Sequence, residues 1–231
     1  MDRNSNSYTF IFAIIMVVIV AVGLAYTATT LQPLQAENVR KEKMQNILAT
    51  IGVVVDRDAA AELFEKFVKQ QYSLKADGTV DKNIDAFSID LKKERVKPIT
   101  EQRFPIYLAE KEGKSFYVIP LYGSGLWDAI WGYVALAEDK NTIVGASFDH
   151  KGETPGLGAE INEGWFEDQF IGKTILDDNN NFVSVKVIKG GAKVGDMHGV
   201  DAISGGTITS DGVSDMLSER LENYLPYFKN K

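Results

Sequence analysis

The sequence predicts an α+β domain in which an antiparallel sheet is flanked by helices, preceded by one N-terminal transmembrane helix. Residues 8–31 form an uncharged, mainly apolar run, and the chain after it is rich in charge. Apolar residues recur with a helical period near the start of that second part and again at its end. Short β-branched or aromatic runs bounded by Gly, Asp or Asn lie between them and are typical of strands.

The composition excludes several classes of function. The 231 residues carry 25 Lys and Arg against 32 Asp and Glu, and a net charge of −7 argues against a nucleic-acid-binding protein, which needs a basic face. Because the chain has no Cys, it forms no disulfide, thiolate metal site or cysteine-ligated iron–sulfur cluster. With only two His, a multi-histidine zinc site or a haem pair is not expected. We therefore predict no metal site, and expect any chemistry to use hydroxyls, carboxylates, the backbone or a bound cofactor. No residue is singled out as catalytic.

The N-terminal apolar run predicts a membrane anchor. A helix over residues 8–31 would extend roughly 36 Å, which exceeds the ~30 Å hydrocarbon core of a bilayer. The alternative is a cleaved signal peptide with Gly23 and Ala25 near its cleavage site, but signal peptides usually have about 7–15 apolar residues. We predict a short N-terminal segment (1–7), a transmembrane helix (8–31) and a soluble domain (32–231).

Charge alone leaves the orientation of this anchor open. Arg3 precedes the apolar run and is offset by Asp2, whereas Arg40, Lys41 and Lys43 follow it at some distance, so the positive-inside rule gives conflicting answers. A large domain after one short N-terminal anchor is most often exported.

Two helical patterns open the soluble domain, which we predict to be helical over 37–72. The first covers residues 35–53 and the second residues 56–73. Their apolar residues fall on one side of each helix: Val39, Met44, Ile47, Leu48 and Ile51 in the first, and Ala60, Leu63, Phe64, Phe67 and Val68 in the second.

The sheet-containing core is predicted from about residue 86. An alternating pattern predicts a first strand at 86–91, and further strands follow at 115–121, 131–137 and 142–148. A helix at 160–170 and a strand at 182–188 come next.

The last element is a helix over 211–225, with Ser210 or Asp211 as its N-cap. Its apolar face consists of Val213, Met216, Leu217, Leu221, Tyr224 and Leu225.

Three glycine-rich segments indicate a ligand site: residues 122–133, 152–161 and 201–210. None contains the G-x-G-x-x-G dinucleotide fingerprint or the G-x-x-x-x-G-K-S/T phosphate loop. Any one of them alone is more often a plain loop. Three such loops in one domain favour a cleft lined for a ligand.

The third segment has features of an anion site. Ser204, Gly205 and Gly206 let backbone N–H groups converge just before a helix, while Thr207 and Thr209 add hydroxyls. Unpaired amides and the helix dipole favour an anion such as phosphate at this place. The competing interpretation, that Ser210 caps the helix and the glycines form a turn, is equally compatible with these residues.

The three segments together resemble the covalent FMN-binding subunits of membrane redox pumps, over the whole chain and in the same order. DAISGGTIT (201–209) resembles the D-x-x-S-G-A-T-x-T sequence at which a flavin transferase esterifies FMN onto the final Thr, with Gly206 in place of the usual Ala. GETPGLG (152–158) is similar to the family's flavin-contacting loop. The G-L-W at 125–127 favours the branch formed by the C subunits of the Na⁺-translocating NADH:quinone reductases over the G subunits of the Rnf complexes.

The resemblance implies a set of cofactor-binding residues. FMN would be esterified to Thr209, with Thr207 as a hydrogen-bond partner of the phosphate and Asp201 as the motif's acid, which is either recognised by the transferase or an ordinary turn residue. Glu153 and Thr154 would meet the ring or ribityl chain. Ser204, Gly205 and Gly206 would surround the phosphate, and Leu157, Gly158 and Trp127 would contact the isoalloxazine. The alternative for Trp127 is a position in the core. Gly123 and Ser124 would mark a place where the backbone approaches the flavin closely.

The same resemblance implies an electron-carrying subunit that relays single electrons to the next flavin. Its parent complex oxidises NADH, reduces ubiquinone and exports Na⁺. The implied partners are the other subunits and a flavin transferase, and the implied location is the bacterial inner membrane, single-pass, with the flavin domain in the periplasm. The alternatives are the paralogous Rnf subunit and a membrane-anchored anion-binding or scaffold domain without flavin.

Overall fold

The computed structural model describes residues 5–229 and divides into two compact units. The first ends at Lys43 and the second begins at Met44. Of the predicted N-terminal segment 1–7, residues 1–4 lie outside the described part of the chain.

The first unit consists of most of one long helix, α1 (Asn6–Ala49). Its apolar stretch has a mean hydropathy of 2.7 over 18 residues, none of them buried, so it is long and apolar enough to cross a membrane. The helix continues through Pro33, where separate helices were predicted before and after that residue. An interior proline removes one N–H donor and disfavours a helix, yet α1 is continuous across it.

Within the described residues, the second unit contains a five-stranded sheet in which every neighbouring pair is antiparallel and sequence order equals spatial order. A short parallel pair forms a separate sheet. This arrangement confirms the predicted α+β class with an antiparallel sheet. The strands are β1 (Val68–Leu74), β2 (Phe104–Lys111), β3 (Lys114–Ser124), β4 (Ala129–Leu136), β5 (Ile143–His150), β6 (Lys186–Ile188) and β7 (Gly199–Asp201).

Helices surround the sheet. The longest helix of the second unit is α5, near the end of the domain, and short 3₁₀ turns link several of the others. The helices are α2 (Ala60–Phe67), α3 (Leu91–Arg95), α4 (Gly164–Glu167), α5 (Thr207–Glu222) and α6 (Leu225–Lys229).

Neighbouring residues of the strands point to opposite faces of the sheet, and each face is buried in its own apolar cluster. On β3, Val118 belongs to one apolar cluster and Ile119 to the other. The cluster with Val118 also contains the end of α1 and one face of α2, whereas the cluster with Ile119 contains α5. The predicted apolar face of the final helix is confirmed from Val213 to Tyr224, and Leu225 is half-buried at the start of α6.

The structure corrects the prediction in the first half of the domain. The helix predicted over 56–73 ends at Phe67, and the next seven residues form β1, because antiparallel pairing with β2 outweighs a helical pattern that continues only weakly. The strand predicted at 86–91 is a 3₁₀ turn (Ala86–Ser88) followed by α3. Asp85 accepts a hydrogen bond from Phe87 N and Asp90 accepts one from Lys92 N, and these N-terminal caps favour turns over a strand.

The second half departs from the prediction at three places. The strand predicted at 182–188 is limited to β6, Lys186–Ile188. The helix predicted over 160–170 is divided into 3₁₀ turns and the four-residue α4, because Glu163 has extended backbone angles. The helix predicted over 211–225 corresponds to α5, which begins at Thr207, four residues before the predicted start, and ends at Glu222. That earlier start brings Thr209 into the first turn of α5.

Candidate functional site

The hydroxyl of Thr209 lies at the centre of the candidate site. Thr209 is 1% exposed and occupies the first turn of α5. Its Oγ1 donates a hydrogen bond to Glu153 Oε2 at 2.6 Å. A buried hydroxyl of the segment 201–210 is therefore hydrogen-bonded to a buried carboxylate of the segment 152–161.

Glu153 connects this pair to the first glycine-rich segment, residues 122–133. It is 5% exposed, and its Oε1 accepts a hydrogen bond from the backbone N–H of Trp127 at 3.0 Å. Its own N–H donates to His150 Nδ1 at 3.1 Å. Because each carboxylate oxygen has a donor, the charge is buried with partners on both sides. All three glycine-rich segments thus meet at one side chain.

Two glycines make room for this contact. A Cβ built on Gly158 would collide with Thr209 Oγ1 and would come within 2.5 Å of Glu153 Oε2. A Cβ built on Gly125 would come within 2.5 Å of Glu153 Oε1. A side chain at either position would therefore force the Thr209–Glu153 contact to shift.

A cleft of about 200 Å³ opens beside the Thr209–Glu153 pair. Large apolar side chains around it remain in contact with solvent, although their size would favour burial: Leu126 is 47% exposed and Ile208 is 57% exposed. Trp127 is 69% exposed, and its indole Nε1 donates to Thr154 Oγ1 at 3.2 Å. The cleft is lined by Leu126, Glu153, Thr154, Leu157, Gly158, Gly205, Gly206, Thr207, Ile208 and Thr209.

The backbone at the start of α5 is suited to an anion. Gly206 is the N-cap, and within residues 5–229 no side chain caps this helix end. The amides of Thr207, Ile208 and Thr209 precede the first α-helical hydrogen bond, in which Ser210 N donates to Gly206 O at 2.9 Å. The interpretation in which Ser210 caps the helix is wrong, since Ser210 Oγ instead accepts from the N–H of Ile203 at 3.2 Å.

Asp128, the residue after Trp127, forms an exposed ion pair. Lys151 Nζ lies 2.7 Å from Asp128 Oδ2, and this hydrogen bond lowers the pKa of the Asp128 carboxyl. The turn between β3 and β4 is closed by the Gly125 N–H, which donates to Asp128 O at 2.8 Å. This turn fixes the position of Leu126 and Trp127 above the cleft.

The remaining candidates lie outside the lining of this cleft. Gly123 packs against Met216 of α5, and Ser124 Oγ accepts a hydrogen bond from Arg95 Nη1 at 3.0 Å. Asp201 is exposed, and its Oδ1 accepts from Ala192 N at 2.7 Å in the neighbouring loop. Ser204 is exposed in the turn before α5. The structure thus brings Glu153, Thr154, Leu157, Gly158, Gly205, Gly206, Thr207 and Thr209 together in one cleft, with Trp127 at its edge.

Sequence reasoning missed two lining residues and one partner. Leu126 and Ile208 are exposed apolar residues inside glycine- or hydroxyl-rich segments, and that contrast was an available signal. His150, which holds the Glu153 amide, follows from no sequence pattern, because a lone His before a loop has many possible partners.

Comparison with known proteins finds the same relatives by sequence and by structure. The model of the FMN-binding domain family matches residues 125–222, which contain Trp127, Glu153 and Thr209. The C subunit of the Na(+)-translocating NADH-quinone reductase from Vibrio anguillarum is 31% identical over 228 residues, covering 92% of this chain and 89% of the relative. The corresponding subunit from Pseudomonas aeruginosa is 30% identical over 241 residues, covering 94% and 91%.

Solved structures agree with these relatives. The 1.10 Å crystal structure of the C subunit of the Na(+)-translocating NADH-quinone reductase from Parabacteroides distasonis matches with a TM-score of 0.80 and 39% identity, covering 87% of this chain and 98% of that one. The crystal structure of Shewanella oneidensis NqrC matches with a TM-score of 0.74 and 30% identity, covering 84% and 98%.

Proposed function

This chain belongs to the C subunits of the Na⁺-translocating NADH-quinone reductases, and from that premise we propose that Thr209 carries FMN through a phosphoester bond. The observation that carries the proposal is the convergence of three glycine-rich segments on the Thr209 hydroxyl, inside a cleft rimmed by exposed apolar side chains. A hydroxyl fixed at the start of a helix has both a nucleophilic oxygen and adjacent amides for a phosphate.

The residues around Thr209 fit the parts of FMN. The first-turn amides and the Thr207 hydroxyl would bind the phosphate, with Ser204, Gly205 and Gly206 shaping the backbone there. The flat isoalloxazine would cover Leu126, Trp127, Leu157 and Ile208, whose exposed area favours an aromatic partner. Glu153, Thr154 and Gly158 would meet the ribityl chain or the ring.

The candidates outside the cleft would have supporting roles. Gly123 and Ser124 hold β3 close to α5, which carries Thr209 on its first turn. Asp201 precedes the attachment segment and is exposed, so it is available for recognition by a flavin transferase.

The chain is an FMN-binding subunit of an oxidoreductase complex, and we propose that it relays single electrons to the next flavin. When bound, FMN supplies one- and two-electron redox chemistry, while the protein supplies position and tunes the potential. NADH, ubiquinone and Na⁺ would bind other subunits of the complex, so that Na⁺ export is a property of the assembly.

We further propose that residues 8–31 anchor the chain in the bacterial inner membrane and that residues 32–231 form the soluble FMN-binding domain on the periplasmic side. The uncovered apolar surface of α1 supports the anchor. Attachment of the flavin would require a flavin transferase in the same compartment.

Threonine-to-alanine variants of the full-length chain, co-expressed with a flavin transferase, test the attachment site. Thr209→Ala should abolish flavin fluorescence of the denatured band, because no hydroxyl remains to form the ester. Thr207→Ala is the matched control two residues away and should reduce labelling only in part. Covalent flavin on Thr209→Ala would contradict the proposal.

A further inference from the structure

The hydroxyl-bearing residue Thr209 is buried in the folded chain, although it also lines the cleft. Thr209 is 1% exposed, and its hydroxyl proton is donated to Glu153 at 2.6 Å. Gly158 approaches Oγ1 so closely that even a methyl group would collide with it. The nucleophilic oxygen is therefore enclosed by a carboxylate on one side and a backbone segment on another.

Flavin transfer needs that oxygen to be accessible. With a flavin dinucleotide as donor, the bond from Oγ1 to the FMN phosphorus forms and the phosphoric anhydride bond to the leaving nucleotide breaks. The hydroxyl proton passes to the leaving phosphate or to solvent, and nothing is oxidised or reduced. Attack on phosphorus requires the attacking and leaving oxygens to be roughly in line, with Oγ1 next to the donor.

We infer that the first turn of α5 must open before FMN can be attached, and that Glu153 is a positioning residue that holds the Thr209 hydroxyl in the closed state. This inference rests on the proposed function, since it takes Thr209 as the acceptor. Attachment would then occur on chains in which this turn is locally open, either during folding or through transient opening of the folded domain.

The structure indicates which contacts open. The turn is held by the bonds from Thr209 to Glu153, from Ser210 N to Gly206 O and from Ile203 N to Ser210 Oγ, and opening would break them. Gly205, with a φ of +76°, offers a hinge directly before this turn. The rest of α5 stays anchored by its buried face from Val213 onward.

Attachment of FMN to Thr209 would also remove the hydrogen bond from Thr209 to Glu153. The ester oxygen of a modified Thr209 has no hydrogen to donate, so Glu153 Oε2 loses its partner. The phosphodiester adds a second negative charge close to this buried carboxylate, which opposes a return to the same geometry. The first-turn amides are the alternative partners for that charge.

The opposite role for Glu153 would be that of a general base. A carboxylate at 2.6 Å from a hydroxyl is within reach to accept its proton during attack. The two roles predict opposite effects of removing the carboxylate. Flavin transfer should become slower if Glu153 is a base, and faster if Glu153 only holds the hydroxyl in the closed state.

Labelling kinetics of the full-length apo chain in detergent distinguish them. Apo protein from a host without a flavin transferase would be mixed with purified transferase and flavin adenine dinucleotide, and the fluorescent band followed over time at increasing transferase concentration. The variants are Glu153→Gln and Glu153→Ala. Glu160→Gln is the matched control, because Glu160 lies on the same loop and binds the Gly156 amide.

For the wild type we expect the labelling rate to reach a plateau set by the opening rate. Glu153→Ala should raise that plateau by about tenfold, as expected for loss of a hydrogen bond to a charged acceptor, and Glu153→Gln by less. Urea below the unfolding transition should also accelerate the wild type, with transferase activity in urea checked on a peptide of residues 198–212. Glu160→Gln should match the wild type.

Slower labelling of Glu153→Gln and Glu153→Ala, with their thermal unfolding transitions intact, would overturn the inference and assign Glu153 as a base. A wild-type rate that rises linearly with transferase and is insensitive to urea would also overturn it, and this result does not depend on any variant folding. A wild-type chain that takes up no flavin would instead refute the proposed attachment, and the inference with it.

Discussion

At the scale of single residues, the buried hydrogen bond between Thr209 and Glu153 organises the candidate site. It joins residues 56 positions apart in the sequence, and the second oxygen of Glu153 adds the backbone of Trp127. Removing either partner would leave the other buried polar group without its bond, which typically costs about 1–3 kcal/mol. The carboxylate therefore supports the local fold as well as the attachment residue.

Substitution of Gly158 by alanine tests the closeness of this packing. The added methyl group would collide with Thr209 Oγ1 and with Glu153, so we expect the free energy of unfolding of the apo chain to fall by about 1–3 kcal/mol. Urea unfolding followed by circular dichroism measures this change. Gly152→Ala is the matched control, because among the described residues no atom lies within 4 Å of its Cβ position. Equal unfolding midpoints for the two variants would contradict the predicted collision.

Glu167, which does not line the cleft, should make the stability of the domain depend on pH. Burial raises the pKa of Glu167 to about 7, although its Oε1 accepts a hydrogen bond from Phe148 N at 2.6 Å. Because the unfolded chain loses this proton near pH 4.5, the folded state binds more protons between the two values. The stabilisation is thus fully present below about pH 4.5 and is lost as the pH rises through about 7.

Glu167→Gln should remove this loss of stability at high pH, while its side-chain oxygen still accepts the hydrogen bond from Phe148 N. We expect the variant to be more stable than the wild type at pH 8, by about 2 kcal/mol once solvent access is allowed for, and to show a flatter stability profile between pH 5 and 8. Glu163→Gln, an exposed carboxyl on the same segment that does not contribute to the raised pKa of Glu167, should leave the profile unchanged. An identical slope in Glu167→Gln and wild type would refute the assignment.

The sequence was sufficient to find the segments of the site but not its contacts. Glycine and hydroxyl residues in three loops pointed to a cleft, and the motif resemblance selected Thr209 among several hydroxyls. The hydrogen bond between Thr209 and Glu153 depends on how α5 packs on the sheet, which no local pattern encodes. The same holds for Ser210, whose favourable position for a cap was overridden when the helix began at Thr207.

At the scale of secondary-structure elements, the elements predicted best are those whose own sequence carries a clear pattern. The strands β3, β4 and β5 and the final helix have clear apolar periodicity and were predicted near their observed bounds. β1 has the sequence VKQQYSL, with a single β-branched residue, and β2 contains Pro105, so neither has a strong strand signal. β1 pairs with β2, and β2 pairs with β3; both pairings are tertiary effects.

Truncation within α1 tests the proposed domain boundary. Met44, Ile47, Leu48 and Ile51 are buried in the second unit, whereas the residues up to Lys43 belong to the first. We expect a chain that begins at Glu37 to be soluble without detergent and cooperatively folded. A chain that begins at Gly52 lacks these four side chains, each worth about 1.5–3 kcal/mol when buried, so its unfolding midpoint in urea should fall sharply. Equal midpoints would show that the end of α1 is not part of the domain.

At the scale of the whole molecule, the chain combines one long apolar helix with an acidic domain. The apolar stretch of α1 has no buried side chain, and such a surface is stable in lipid but not in water. The absence of Cys makes the chain compatible with an oxidising compartment and convenient for labelling with a single introduced thiol.

Thiol labelling tests the proposed periplasmic orientation. Lys93 has an 80% exposed side chain, so Lys93→Cys should provide one accessible thiol without disturbing the core. In intact cells, a membrane-impermeant maleimide that crosses only the outer membrane should label this variant as fully as it does after cell lysis. Labelling that appears only after lysis would place the domain in the cytoplasm. The wild type, which has no Cys, is the control for background.

The most direct test of covalent FMN attachment is the intact mass of the wild-type chain, co-expressed with a flavin transferase in an exporting host, combined with peptide mapping. We predict a mass raised by one FMN less one water, fluorescence that survives full denaturation, and a modified peptide in which the flavin maps to Thr209. An unmodified mass and a dark band, while a known substrate of the transferase is labelled in the same cells, would contradict the covalent assignment. Flavin mapped to another residue would contradict the attachment site.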